Sequence, residues 1–192
     1  LLYLRWKYIC YMKIRKAVIT AAAREERLYP VADTIQKAML PIIDTDGLHK
    51  PVIQAIAEEA FLSGIEEICV VCAPGDGDRY INAFTSLRDN LIKSYKNVDW
   101  AQEEADKIDN LISRVRFAEQ PEPLGYGHAV YCAKDFVADE PFLLLLGDYL
   151  YISNLTSKRC ATQLIELAVQ ENCSVSAVNP TIEHQIGRYG TL

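Results

Sequence analysis

The chain has 192 residues, 50% hydrophobic and 24% charged, with 20 Lys+Arg against 26 Asp+Glu for a formal charge of −6. That length and balance suffice to bury one sizeable core, which excludes a disordered or low-complexity chain. The acidic bias argues against a protein that wraps nucleic acid, and no apolar run reaches the roughly 18 residues of a membrane span.

In chain order, residues 1–11 (LLYLRWKYICY) are interrupted by Arg5 and Lys7 and lack the apolar core and cleavage site of a signal peptide. They read as a leader or upstream scar before Met12, with the fold assigned to 12–192. A short β-branched run at 17–21 predicts the first strand, and 37–43, broken by Pro41, an irregular stretch or a short turn. Pro51 opens a helix with Ile53, Ile56, Ala57 and Ala60 on one face, closed by Gly64. A second strand follows at 67–73, then two mostly polar helices over 78–112 split near Asn97, and a third strand at 114–118. A helix is expected at 129–136. The unbroken apolar run 142–146 has the pattern of a central parallel strand. An amphipathic helix at 156–170 and a fifth strand at 174–178 complete the reading.

Strands alternating with helices predict an α/β fold, a Rossmann-like, mostly parallel sheet with flanking helices. Cys69 and Cys72 form a C-x-x-C inside the second strand, where side chains three apart face opposite ways. Neither a shared metal nor an easy disulfide follows, and the six cysteines read as reduced thiols of a cytoplasmic protein. The loops at 22–30, 74–77, 120–127, 147–148 and 179–180 each follow a predicted strand, the edge where open parallel sheets bind ligands. Asp148 ends the apolar run Leu143-Leu144-Leu145-Leu146-Gly147, where a carboxylate has no packing reason to be. Such a residue suits a hard cation such as Mg²⁺ shared with substrate phosphates. Arg27 and Lys37 are the nearest cations after the first strand, suited to neutralising phosphate charge. Gln120 offers both a donor and an acceptor for a base edge, and Gly125 and Gly127 precede a helix.

The ordered motifs Lys16-Ala-Val-Ile-Thr-Ala-Ala22, Arg27-Leu-Tyr-Pro30, Lys37-Ala-Met-Leu-Pro41, Pro51-Val-Ile-Gln54, Gly64-Ile-Glu-Glu67, Gln120-Pro-Glu-Pro-Leu-Gly-Tyr-Gly-His-Ala129, Leu146-Gly-Asp148 and Arg188-Tyr-Gly190 run along nearly the whole chain. On them the chain resembles the sugar-nucleotide nucleotidyltransferases, in particular the branch of bacterial UTP–glucose-1-phosphate uridylyltransferases. The resemblance implies the nucleotide-diphospho-sugar transferase fold, C-terminally truncated within its sugar-binding half. It implies UTP and glucose 1-phosphate as substrates, Mg²⁺ as cofactor, and UDP-glucose and pyrophosphate as products. Ala22, Ala23, Gln120 and Gly125 would hold the base, and Arg27 and Lys37 the phosphates. Asp148 would hold the metal, and Tyr189 with Gly190 the sugar. No nucleic acid or membrane partner is implied, and a homo-oligomer is left open.

The match breaks in the phosphate loop. Where the family reads Gly-x-Gly-Thr-Arg, this chain reads Ala23-Arg24-Glu25-Glu26-Arg27, and Asp33 stands where a Lys is common. A Glu25 carboxylate about 5 Å from a phosphate charge costs roughly 3 kcal/mol at an effective dielectric near 20, about a hundredfold in affinity. Two alternatives therefore stand beside the uridylyltransferase: a catalytically impaired regulatory or assembly subunit, and a thymidylyl- or guanylyltransferase. A nicotinamide-dependent oxidoreductase lacks its G-x-G-x-x-G after the first strand.

Overall fold

The computed structural model describes residues 12–23, 30, 34–178, 180, 182, 184 and 187. Four parallel strands, β1 (Lys16–Thr20), β4 (Glu67–Cys72), β5 (Val115–Glu119) and β6 (Phe142–Leu146), form one sheet in the order β5-β4-β1-β6. A two-stranded hairpin, β2 (Pro41–Ile43) with β3 (His49–Pro51), stands apart from it. The helices are α1 (Val52–Phe61), α2 (Asp76–Ser94), α3 (Asp99–Arg114), α4 (Tyr126–Cys132), α5 (Lys134–Val137) and α6 (Cys160–Glu171).

The sheet is covered on both faces because its strands are apolar on both. Ala17, Ile19, Ile68, Val70, Cys72, Leu143 and Leu145 pack with Ile53 and Ile56 of α1, Tyr80 and Phe84 of α2, and Ile108 of α3. The alternate residues Val18, Cys69 and Val71 pack with Ala129, Ala133 and Val137 on the other face. Cys69 and Cys72 thus lie on opposite faces of β4, as strand geometry requires. Burial pushes the Cys69 thiol up to about 11. Burial, reinforced by the charges of Asp76 and Glu119, pushes Cys72 up to about 12. Both are packing residues rather than nucleophiles.

Several expectations hold and several are corrected. The first three strands, the Pro51 helix and the break at Asn97, which adopts a left-handed φ of 62° between α2 and α3, lie where the pattern put them. The stretch at 37–43 holds the expected short turn, a 3₁₀ turn at Lys37–Met39, but then enters a strand, β2, that was not expected. α4 starts three residues earlier than expected, behind Gly125 (φ 97°), and breaks at Ala133 before α5. α6 starts at Cys160 rather than 156, because the Glu59 carboxylate of α1 accepts the Ala161 N–H at 2.9 Å and pairs with Arg159 at 2.9 Å. A cap supplied by another helix overrides the local Thr156 signal.

β6 is not central among the described residues, where it pairs with β1 alone. Its apolar run answers to cover on both faces of the sheet, which does not require two strand neighbours. The fifth strand at 174–178 does not form. α6 ends on Asn172 (φ 49°), and residues 173–178 are largely exposed, with no partner strand among the described residues. β-branched residues adopt strand geometry when a neighbour and a covered face are supplied, and here neither is.

β1, β5 and β6 are each carried one hydrogen bond further at their C-terminal ends: Ala21 N–H to Val71 O (2.7 Å), Gln120 N–H to Cys72 O (2.8 Å) and Gly147 N–H to Thr20 O (2.9 Å). Gly147 lies so close to β1 that a Cβ there would meet Thr20 O at 2.6 Å and Ala21 Cβ at 3.0 Å. Gly147→Ala is accordingly expected to cost about 2 kcal/mol of overpacking strain and lower Tm by roughly 6 °C. Thermal unfolding checks this, and an unchanged Tm would show that the strand end yields freely.

Candidate functional site

All four strands point the same way, so the loops after β1, β4, β5 and β6 gather at one edge of the sheet. Two clusters form there. In the first, the Lys37 ammonium pairs with the Asp148 carboxylate at 2.7 Å, a contact across 111 residues between the 3₁₀ turn and the turn after β6. Asp148 remains 40% exposed and Lys37 31%, so both stay accessible to a ligand. In the second, Gln120, only 9% exposed, turns its side chain back on its own loop. Its Nε2 donates to Gly125 O at 3.1 Å and lies 3.1 Å from His128 Nδ1. Gly125, at φ 97°, is in the left-handed region that glycine tolerates.

Ala22 packs against the cluster of Val18, Val71 and Ala129, on the face of the sheet that carries α4, and Ala23 is exposed beside it. Three strand spacings separate β5 from β6, so the Gln120 and Asp148 clusters stand about 14 Å apart across the edge. That span suits a nucleotide laid over the strand ends. Arg27, Tyr189 and Gly190, with Glu25, Glu26 and Asp33, lie outside the described residues. A groove of about 680 Å³ between α1, the hairpin and residues 150–160 includes none of the sequence-predicted site residues.

The sequence reading missed three residues that build this edge. Tyr151 Oη accepts the Leu146 N–H at 2.8 Å, an N–H on the side of β6 that faces away from β1, and so ties down the turn carrying Asp148. Burial, opposed by that N–H and reinforced by Tyr126 and Asp148, pushes the Tyr151 phenol up to about 12, so it stays neutral. Glu119 Oε1 accepts the Gly75 N–H at 2.8 Å and fixes the turn after β4. His128 contacts Gln120. Only His128 carried a signal, through its place in the Gly-Tyr-Gly-His-Ala motif.

A family model described as nucleotidyl transferase matches residues 16–191. The chain belongs to the nucleotidyl transferase family. Among curated members, it is 35% identical over 182 residues to a UTP–glucose-1-phosphate uridylyltransferase of Bacillus subtilis, covering 94% of this chain and 59% of that one. It is 37% identical over 184 residues to a UTP–glucose-1-phosphate uridylyltransferase of Streptococcus pyogenes, covering 94% and 57%. The chain therefore spans less than three fifths of the length of these relatives. Among solved nucleotidyl transferase structures, a UDP-glucose pyrophosphorylase complexed with UDP-glucose superposes with a TM-score of 0.64 at 28% identity, over 84% of this chain and 55% of that one. A UTP-bound pyrophosphorylase from Acinetobacter baumannii gives 0.67 at 28% identity, over 83% and 54%. No helix among the described residues is long and apolar enough to cross a membrane.

Proposed function

We propose that the protein transfers a uridylyl group from UTP to glucose 1-phosphate, giving UDP-glucose and pyrophosphate. The observation that carries this reading is the Lys37–Asp148 pair, a cation and a carboxylate held 2.7 Å apart at the ligand-binding edge of a nucleotidyl transferase sheet. The names of the relatives supply the substrate pair.

The donor set also bears on the cofactor. Among the described residues no group of three or more His, Cys, Asp or Glu side chains is arranged to hold a metal by itself. A single accessible carboxylate does fit Mg²⁺, which commonly takes one or two carboxylates and completes its shell with phosphate oxygens and water. Asp148 is the residue that would hold it. Bound there, the ion would neutralise charge developing on the phosphates.

The chain's own residues do the rest by position and charge. Lys37 places an ammonium where the phosphates converge and keeps Asp148 aimed into the same space. Gln120 and the Gly125 backbone take the base at the other end of the edge. The sugar-phosphate oxygen then attacks the α-phosphorus in line, the bond to the departing pyrophosphate breaks, and no covalent enzyme intermediate forms.

Incubating the protein with Mg²⁺, glucose 1-phosphate and uridine, thymidine, guanosine, adenosine or cytidine triphosphate in turn tests the proposal. Pyrophosphate release with UTP is the expected result. Release with thymidine or guanosine triphosphate alone would reassign the base. Tight Mg–UTP binding without release would favour a non-catalytic subunit.

A further inference from the structure

The Lys37–Asp148 pair has a fixed partner and a movable one. Asp148 carries a short side chain on a turn pinned by three hydrogen bonds: Gly147 N–H to Thr20 O at 2.9 Å, Tyr149 N–H to Leu146 O at 3.3 Å, and Leu146 N–H to Tyr151 Oη at 2.8 Å. Lys37 reaches across from the 3₁₀ turn on a long flexible stem and meets Oδ2 at 2.7 Å. When the pair parts, the ammonium is the group that moves.

So arranged, Asp148 makes a poor site for a free divalent ion. The ammonium and the carboxylate cancel, leaving no net charge in the pair to attract one. Among the described residues no group of three or more His, Cys, Asp or Glu side chains makes up the deficit. An ion on either carboxylate oxygen would also stand within a few ångströms of the ammonium, positive against positive. Mg²⁺ gives up its water reluctantly and would gain little here in return. A bound triphosphate reverses the balance. Its oxygens complete the shell of the ion and give the ammonium a second anionic partner. Both cations then face the phosphates, and the carboxylate is released to the metal.

We propose that Lys37 is the resident counter-ion of Asp148 and decides what the site accepts: it keeps free divalent ions out and admits a metal only together with a polyphosphate. This rests on the metal and nucleotide site proposed above. The pair thereby selects the metal–nucleotide complex over the free ion. By linkage, nucleotide raises the affinity for metal by the same factor as metal raises the affinity for nucleotide.

Titrating Mn²⁺, a paramagnetic stand-in for Mg²⁺, into the nucleotide-free protein tests the inference. Electron paramagnetic resonance reads the free ion, and thermal unfolding confirms that each variant is folded. Lys37→Met is expected to bind Mn²⁺ about tenfold tighter than wild type, the scale of removing one partly screened like charge beside the ion. Lys37→Gln should gain similarly, and Lys37→Arg, which keeps the charge, should match wild type. Adding Asp148→Asn to Lys37→Met should abolish the gain. Calorimetry of UTP binding with and without Mn²⁺ gives the coupling, expected at about a hundredfold in wild type. Equal Mn²⁺ affinity in wild type and folded Lys37→Met overturns the inference, as does a gain that survives Asp148→Asn; UTP binding to wild type then still upholds the functional reading. A wild type that binds UTP under neither condition overturns both. Should Lys37→Met fail to fold, Lys37→Gln decides by the same comparison.

Discussion

Asp148→Asn is expected to lower Mg²⁺-dependent pyrophosphate release about a thousandfold while leaving Tm within about 2 °C of wild type. The two parts of that expectation have different sources. On the proposed reading, removing the carboxylate would remove the chain's hold on a cation shared with the phosphates, worth about 4 kcal/mol of charge stabilisation in the transition state. The fold barely notices, because the Lys37–Asp148 pair is accessible at 31% and 40% exposure, and such pairs contribute about 0–1 kcal/mol. A steady-state assay across Mg²⁺ concentration, with unfolding curves in parallel, reads both. Activity within tenfold of wild type would remove Asp148 from the site.

The second large effect lies outside the site and falls on stability. Lys50 of β3 is only 2% exposed, yet its ammonium meets Asp44 at 3.0 Å, Asp46 at 2.6 Å and Glu58 at 2.9 Å. Gln54 of α1 donates to both Glu58 and Glu104, so the cluster ties the hairpin to α1 and α1 to α3. Burial alone would lower the Lys50 pKa, but its bonds to Asp46, Glu58 and Asp44 outweigh burial and raise it. Lys50→Met strands three carboxylates around an apolar side chain, a loss of about 3–5 kcal/mol and roughly 10 °C in Tm. Combining it with Asp44→Asn, Asp46→Asn and Glu58→Gln should recover most of that loss, since the charges are then removed together. A single variant that melts with the wild type would contradict this account.

The same cluster sets an acid dependence. Burial would raise the carboxyls of Asp44 and Asp46, but backbone N–H donors and Lys50 outweigh it and hold both below the usual range. Their contribution is therefore complete above the ordinary Asp value of about 4 and is lost as pH falls through the lowered one. The gap in Tm between wild type and Lys50→Met should close over that acid window and stay constant from pH 6 to 8.

What the sequence made legible follows from how local each determinant is. The first three strands of the sheet, α1 and the Asn97 break were readable because apolar period, Pro51, Gly64 and a residue tolerant of left-handed φ act within a few positions. Lys37, Gln120, Gly125 and Asp148 were readable as candidates because they follow strands, and the structure brings Lys37 to Asp148 and Gln120 to Gly125. The hairpin was not readable: its strands have three residues each with prolines at 41 and 51, and the Lys50 cluster that secures it reaches as far as Glu58. Tyr151 gave no signal, since its role is to cap one N–H of β6. The start of α6 depends on Glu59, about a hundred residues upstream, which no local pattern encodes.

On the proposed reading a nucleotide lies across the C-terminal edge of the sheet, its base end at Gln120 and its phosphates at Asp148. Amide hydrogen exchange with and without Mg–UTP tests it most directly. The account predicts slowed exchange at 21–23, 120–128 and 147–149, with the β2–β3 hairpin and the α2–α3 pair unchanged. Unaltered exchange at those loops, or protection confined to the groove between α1 and residues 150–160, would contradict it.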